Sequence, residues 1–121
     1  MSEVLLVEDN RSQREMISDL LKKHGLTVTI ACDGLEAIAH LEKSNPDLVV
    51  LDIVMPRMNG YEVCRRLKSD PKTKNVPVVM CSSKAEEFDR FWGMKQGADA
   101  YIAKPFEPIE LLGTIKQLLR K

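Results

Sequence analysis

The sequence predicts a doubly wound α/β domain, a five-stranded parallel sheet in the order 2-1-3-4-5 with five helices over its two faces. Three observations carry that expectation. The runs Val4-Leu5-Leu6-Val7, Leu48-Val49-Val50-Leu51 and Val78-Val79-Met80-Cys81 are short, apolar and non-alternating, which suits strands buried on both faces. Thr27-Val28-Thr29-Ile30 alternates polar and apolar, and Ala100-Tyr101-Ile102-Ala103 is short and followed by Pro105, so these two suit the edges. Helical periodicity fills the stretches between the strands.

Each helix has its own signals. Ser12 with Glu15 fits a capping box opening the first, whose face carries Met16, Ile17, Leu20 and Leu21 and which Gly25 ends. Asp33 can cap the second, with Leu35, Ile38 and Leu41 along it and Asn45-Pro46 closing it. Asn59 can cap the third, which carries Val63 and Leu67 and stops before Ser69-Asp70-Pro71. Residues 85–96 make the fourth, ended by Gly97. The fifth begins at Glu107-Pro108, with proline in its first turn, and buries Leu111, Leu112, Ile115, Leu118 and Leu119. No repeat or linker interrupts this pattern, so residues 1–121 read as one domain.

Composition excludes several roles. The chain is 44% hydrophobic and 30% charged, as in soluble globular proteins. Eighteen basic and eighteen acidic residues cancel, with no dense basic run, so neither nucleic acid nor an anionic membrane is an expected partner. No stretch approaches the ~20 apolar residues of a membrane span, and Met1-Ser2-Glu3 shows no signal-peptide pattern. Cys32, Cys64 and Cys81 are odd in number and lack metal-ligand spacing. They read as small buried hydrophobes in a reducing compartment, and the expected location is cytoplasmic.

Right-handed crossovers and the switch-point rule put the site outside the carboxyl ends of the first and third strands, where Glu8, Asp9 and Asp52 stand. Three carboxylates gathered there repel one another unless a cation relieves them, and magnesium is the hard ion that accepts one or two carboxylates plus waters and phosphate oxygens. Asp9 and Asp52 are the expected direct ligands, the backbone carbonyl of Val54 a third, and Glu8 a ligand through water. Asp52 can then attack a phosphoryl group in line and form an acyl phosphate. Magnesium and the Lys104 ammonium would neutralise the transferring oxygens, and Ser82 can donate a hydrogen bond to the product. Any one of these could be a polar group that strand ends supply routinely; their convergence on one sheet edge is the signal.

These residues resemble the receiver domain of two-component response regulators (CheY-like), over essentially the whole chain. The acidic pair Glu8-Asp9, the phosphoacceptor loop from Asp52 to Gly60 (DIVMPRMNG), the hydroxyl residue Ser82, the aromatic Tyr101 and the pair Lys104-Pro105 all match. The resemblance implies the flavodoxin/CheY-like fold and a cis Lys104-Pro105 bond. It implies phosphotransfer from a histidine kinase to Asp52, with only weak self-phosphorylation and self-dephosphorylation as activity. It further implies a switch in which Ser82 and Tyr101 reshape the fourth helix, fifth strand and fifth helix for a downstream protein. Ser83 departs from the alanine common after the hydroxyl residue. Val54 and Lys84 occupy positions that, in the family, tune loss of the phosphoryl group.

Without a second domain in this sequence, the output is expected to be protein–protein contact, by a stand-alone monomer or a weak phosphorylation-linked dimer. Phe88, Trp92, Tyr101 and Phe106 are the expected partner surface. Phe88, Phe91 and Trp92 form an i, i+3, i+4 stripe that a core would bury, with at least one aromatic left exposed as an anchor. Gly93 weakens that helix, as suits a segment that moves. The run from Trp92 to Ala98 (WGMKQGA) resembles the twitching-motility PilH-type subgroup.

Three rival readings remain. An aspartate-nucleophile phosphatase would want a second acid where Val54 stands, and a flavodoxin-like cofactor binder would want a Ser/Thr/Gly-rich loop where Glu8-Asp9-Asn10-Arg11 stands. The third is a receiver-fold docking module that is never phosphorylated.

Overall fold

The computed structural model describes residues 2–120. The expectation about the N-terminal signal pattern begins on Met1, outside the described residues. In chain order the elements are β1 (Glu3–Val7), α1 (Arg11–Lys23), β2 (Thr27–Ala31), α2 (Gly34–Lys43), β3 (Leu48–Leu51), α3 (Gly60–Ser69), β4 (Val78–Ser82), α4 (Glu87–Lys95), β5 (Ala100–Ala103) and α5 (Pro108–Leu119). All strand pairs are parallel and the order is β2-β1-β3-β4-β5, as the sequence predicts.

The two-residue period of the strands divides the core into two layers. Leu5, Val7, Val49, Leu51, Val78, Met80 and Tyr101 face one side, against Ala37, Leu41, Val63, Cys64 and Leu67 of α2 and α3. Val4, Leu6, Leu48, Val50, Val79, Cys81 and Ile102 face the other, against Ile17, Leu21, Leu111, Leu112 and Ile115 of α1 and α5. Residues of β1, β3 and β4 have helices on both sides, which is why those strands show no alternation. The two layers fix the sheet so that the ends of β1, β3, β4 and β5 open on one edge.

Local signals hold in part. Asp33 and Asn59 cap α2 and α3, accepting hydrogen bonds from the backbone N–H groups of Glu36 and Glu62 at 2.9 and 3.0 Å. Gly25, at φ 86°, ends α1 in a Schellman arrangement: its N–H donates to Lys22 and that of Leu26 donates to Leu21. The cap of α1 is Asn10 rather than Ser12: Asn10 accepts from the Gln13 N–H at 2.9 Å, and Glu15 pairs with Arg11 instead. Met16 and Leu35, expected on buried faces, are exposed. Leu35 is displaced because α2 meets α3 through small residues, with Gly34 and Ala37 buried; a Cβ on Gly34 would lie 2.6 Å from the Met58 carbonyl oxygen. Leu118 and Leu119 are partly buried, packed against the second layer.

The largest correction concerns α4. Phe88, Phe91 and Trp92 are 70, 60 and 39% exposed, and the residue that α4 buries is Gly93. A Cβ there would stand 2.8 Å from the Met80 sulfur and 3.0 Å from the Tyr101 ring. Gly93 is therefore a point of close approach to β4 and β5, beyond any weakening of the helix. With so thin a contact side, the aromatic stripe turns to solvent, where Phe88 and Trp92 stack at 6.4 Å.

Candidate functional site

Asp52 is the first residue beyond β3. Its N–H still pairs with the Val7 carbonyl at 3.0 Å, continuing the ladder toward β1 and fixing the start of the side chain. One carboxylate oxygen accepts from the N–H of Ile53 at 2.7 Å, and the other lies 3.7 Å from the Lys104 ammonium. Glu8 and Asp9 follow β1, and one carboxylate oxygen from each of Glu8, Asp9 and Asp52 lies within 4.8 Å of the others. This is the convergence that strand order predicted.

The three acids differ in environment. Asp9 is exposed, while Glu8 is buried and both its oxygens are engaged: one with Lys104 at 2.5 Å, the other accepting the Asn10 N–H at 3.2 Å. Burial pushes the Glu8 carboxyl above its usual range, against the pull of Lys104, with Asp52 adding to the rise. Burial alone would lower the Lys104 ammonium, but its hydrogen bond with Glu8 and the charges of Asp52 and Glu8 carry it upward instead. At neutral pH Lys104 therefore stays an ammonium, 2.5 Å from Glu8 and 3.7 Å from Asp52. Backbone ties hold Lys104 there: its N–H donates to the Ser82 carbonyl at 2.9 Å, and the Lys104–Pro105 peptide is cis, as the resemblance implied.

The acids open into a cleft of about 640 Å³ whose walls include Gln13 and Met16 of α1, Val54, Ser83 and Phe106. The donor set suits magnesium: all-oxygen, with exposed Asp9 and buried Asp52 both lining the cleft and a third acid, Glu8, whose two oxygens are already bonded. Val54 stands exposed at the lip of the cleft. Ser82 is fully buried at the end of β4, its hydroxyl accepting the Lys84 N–H at 3.2 Å, whereas Ser83 reaches the cleft wall.

Tyr101 was expected on the partner surface, but it is 6% exposed and lies in the first core layer. Its hydroxyl donates to the Lys84 carbonyl. The Arg90 guanidinium covers its ring at 5.3 Å and donates to its backbone carbonyl at 3.0 Å. Phe106 is half-buried, packed against the second layer and facing the cleft. Of the four expected surface residues, Phe88 and Trp92 are the exposed pair, on α4.

Four contributors were not foreseen. Arg14 donates to the carbonyls of Glu8 and Asp9 at 3.1 and 3.2 Å, fixing the acidic loop. Arg57 pairs with Asp33 across from the loop after β3 to the cap of α2. Tyr61 of α3 reaches the Asp89 carbonyl of α4 at 3.3 Å, and Arg90 braces Tyr101. All four are long side chains bridging separate elements, and no spacing in the sequence signals such a reach.

A five-stranded parallel sheet in this order, with an acidic cleft at its switch point, defines the doubly wound α/β class, and comparison with known proteins gives the family. The family model for the response regulator receiver domain matches residues 4–116, and the chain belongs to that family. It is 41% identical over 113 residues to Protein PilG of Pseudomonas aeruginosa, covering 93% of this chain and 84% of PilG. It is 37% identical over 119 residues to Protein PilH of the same organism, covering 98% of each, which bears out the PilH-type resemblance. It also matches Sensory transduction protein RegX3 of Mycolicibacterium smegmatis at 38% identity, spanning 100% of this chain and 52% of RegX3. The chain thus spans about half the length of several curated relatives. Among solved structures, chemotaxis protein CheY4 of Vibrio cholerae superposes with a TM-score of 0.91 at 33% identity over 98% of both chains. The receiver domain of sensor histidine kinase PA1611 from P. aeruginosa, with a magnesium ion in its active-site cleft, superposes at 0.93 with 29% identity over 99% and 98%.

Proposed function

We propose that this chain works as a phosphoacceptor switch, a receiver domain that a histidine kinase charges on Asp52. The observation that carries the reading is the set of acidic oxygens within 4.8 Å of one another with Lys104 3.7 Å from Asp52. In the transfer step a carboxylate oxygen of Asp52 attacks the phosphorus of the kinase phosphohistidine. The P–N bond breaks, its electron pair stays on the imidazole, and Asp52 becomes an acyl phosphate.

Asp9 and Asp52 would hold magnesium, with the Val54 carbonyl as a further ligand and Glu8 through water. When bound, the ion neutralises charge on the transferring oxygens. Lys104 is positioned by Glu8 to share that task. Ser82 and Tyr101 form the switch. Both meet Lys84, Ser82 at its N–H and Tyr101 at its carbonyl, so movement of the β4–α4 loop reaches both at once. The face of α4, β5 and α5 then carries the signal to a protein target, with Phe88 and Trp92 as anchors. Beyond weak self-phosphorylation and self-dephosphorylation the protein is not an enzyme.

Similarity to PilG and PilH supports a pathway of pilus-driven motility or chemotaxis. No helix among the described residues is long and apolar enough to cross a membrane, in keeping with a cytoplasmic protein. Incubation with magnesium and a small-molecule phosphodonor should give one acid-labile phosphate per chain and change the fluorescence of Trp92, the sole tryptophan. Equal labelling of Asp52→Ala overturns Asp52 as the acceptor, and no labelling of the wild type overturns the reading and favours the passive docking module.

A further inference from the structure

The phosphoacceptor loop contains one backbone outlier. Arg57 has φ 69°, alone among the described non-glycine residues in taking a positive value. The N–H of Met58 donates to the Pro56 carbonyl at 2.8 Å, so Arg57 is the centre of a three-residue γ-turn in its rarer, strained hand. A residue with a Cβ does not hold that conformation unless its surroundings impose it. The rest of the loop is well anchored. Gly60 donates to the Ile53 carbonyl at 2.8 Å and closes the loop at its base, while Ile53, Met55 and Met58 are buried pegs. Between those pegs, Val54 stands free at the lip of the cleft.

The Arg57 side chain leaves this loop and pairs with Asp33, the cap residue of α2. Asp33 is buried, and its other oxygen caps the Glu36 N–H at 2.9 Å. Beside it, Gly34 lies flat against the Met58 carbonyl, with no room for a Cβ. The strained turn is thus gripped at two adjacent points by one rigid helix start.

We propose that Arg57 and Asp33 are a positioning pair for the phosphoacceptor loop, holding the strained turn so that the Val54 carbonyl is presented to the bound cation. The inference rests on the reading of the cleft as a magnesium-assisted phosphoacceptor site. Neither residue touches the reacting atoms; both act through the backbone of residues 54–58. Elastic strain stored at a turn favours release, and the ion pair to a fixed helix cap opposes it. Without the pair nothing fixes the turn: a residue with a Cβ relaxes out of the positive φ and a glycine samples it among other conformations, so the carbonyl at the lip loses its aim and metal affinity falls while the core is untouched.

The test separates positioning from stability. Arg57→Gly removes the pair but makes the positive φ free of cost, and Asp33→Asn removes the charge while an asparagine can still cap α2. Arg57→Lys keeps the charge. Magnesium binding to each full-length variant is measured by calorimetry, alongside metal-free thermal unfolding. Arg57→Gly and Asp33→Asn should bind magnesium about tenfold more weakly, the lower end of what loss of a ligand-orienting partner costs. Arg57→Gly should do so with its unfolding midpoint unchanged or raised, and Arg57→Lys should recover most of the affinity. Phosphorylation at limiting magnesium should slow in step and recover at saturating magnesium. Affinities within twofold of wild type, or losses confined to variants whose metal-free midpoint falls, overturn the positioning role. A wild type that binds no magnesium overturns the reading beneath it as well.

Discussion

Two helix-interior glycines, Gly93 of α4 and Gly113 of α5, offer a matched experiment on what α4 packs against. In an exposed helix interior, replacing glycine by alanine gains up to ~1 kcal/mol through the lost freedom of the unfolded chain. At Gly113 nothing lies within 4 Å of the new methyl, so that gain should appear in full. At Gly93 the methyl would meet the Met80 sulfur at 2.8 Å and two Tyr101 ring carbons at 3.0 Å. Met80 is fully buried in a central strand, and the Tyr101 ring is pinned by Lys84 and Arg90, so neither yields readily. Overpacking of a tight contact costs ~1–3 kcal/mol. The net change at Gly93 therefore runs from about zero to a loss of ~2 kcal/mol, so Gly93→Ala should be less stable than Gly113→Ala by ~1–3 kcal/mol. Guanidinium denaturation reads this as a shift in midpoint at constant slope. Gly93→Ala should also disturb Tyr101 and so alter Trp92 fluorescence. If Gly93→Ala stabilises as much as Gly113→Ala, α4 does not press on Tyr101 through Gly93 and the packing account fails.

Other outcomes follow from the buried charges and thiols. Lys104→Ala leaves the carboxylate of Glu8, 1% exposed, without its cation; unfolding free energy at neutral pH should drop by about 3 kcal/mol, and Glu8→Gln in the same chain should recover part of it. A loss within error of zero would mean that the pair contributes no net stability. The Arg57 guanidinium holds the Asp33 carboxyl below its ordinary value. The resulting stability is complete above the unfolded value of about 4, and is lost as pH falls from there through the lowered folded value. The melting-temperature gap between wild type and Asp33→Asn should therefore narrow below that pH, and a constant gap would refute the pairing. Burial pushes the Cys64 thiol up to about 11 and that of Cys81 up to about 12. Because the thiolate is the nucleophile, mild alkylation of folded protein should label half-buried Cys32 and spare the other two until denaturant is added; fast labelling of Cys81 would contradict its burial.

Much of the fold was legible because parallel strands with helices on both faces leave a simple trace. A run such as Leu48-Val49-Val50-Leu51 has no wet side, and no other common element needs four consecutive buried residues. Caps were legible where one candidate stood before the helix, as with Asp33 and Asn59. At α1 the capping-box pattern pointed to Ser12, whereas the helix is capped two residues earlier by Asn10, because the acidic loop sets where the helix begins. Helix faces were less legible. The spacing of Leu35, Ile38 and Leu41 is a proper apolar stripe, yet α2 turns Gly34 and Ala37 inward to approach α3 closely. On α4 the same rule failed outright, since the smallest residue faces the sheet and the largest face water. Periodicity measures which side is greasier, and close packing selects which side is thinner.

The same distinction divides the site. Glu8, Asp9, Asp52, Ser82 and Lys104 each sit at a strand end, so topology alone brings them to one edge, and their chemistry follows from proximity. Arg14, Arg57, Tyr61 and Arg90 meet their partners through side chains that cross between elements, and those reaches depend on distances that only the folded chain sets. The consequence falls most heavily on Tyr101. Sequence pattern alone makes it an edge-strand aromatic, free to point either way. In the fold its ring is covered by Arg90 and overlain by Gly93, both from α4, while its hydroxyl is bonded to Lys84 at the root of that helix. Tyr101 cannot leave this seat while those contacts persist. A phosphoryl-driven change that moved Lys84 would act on the seat of Tyr101 and the base of the Phe88–Trp92 surface together. On the proposed reading, input and output would be joined by one short loop, with no long relay through the core.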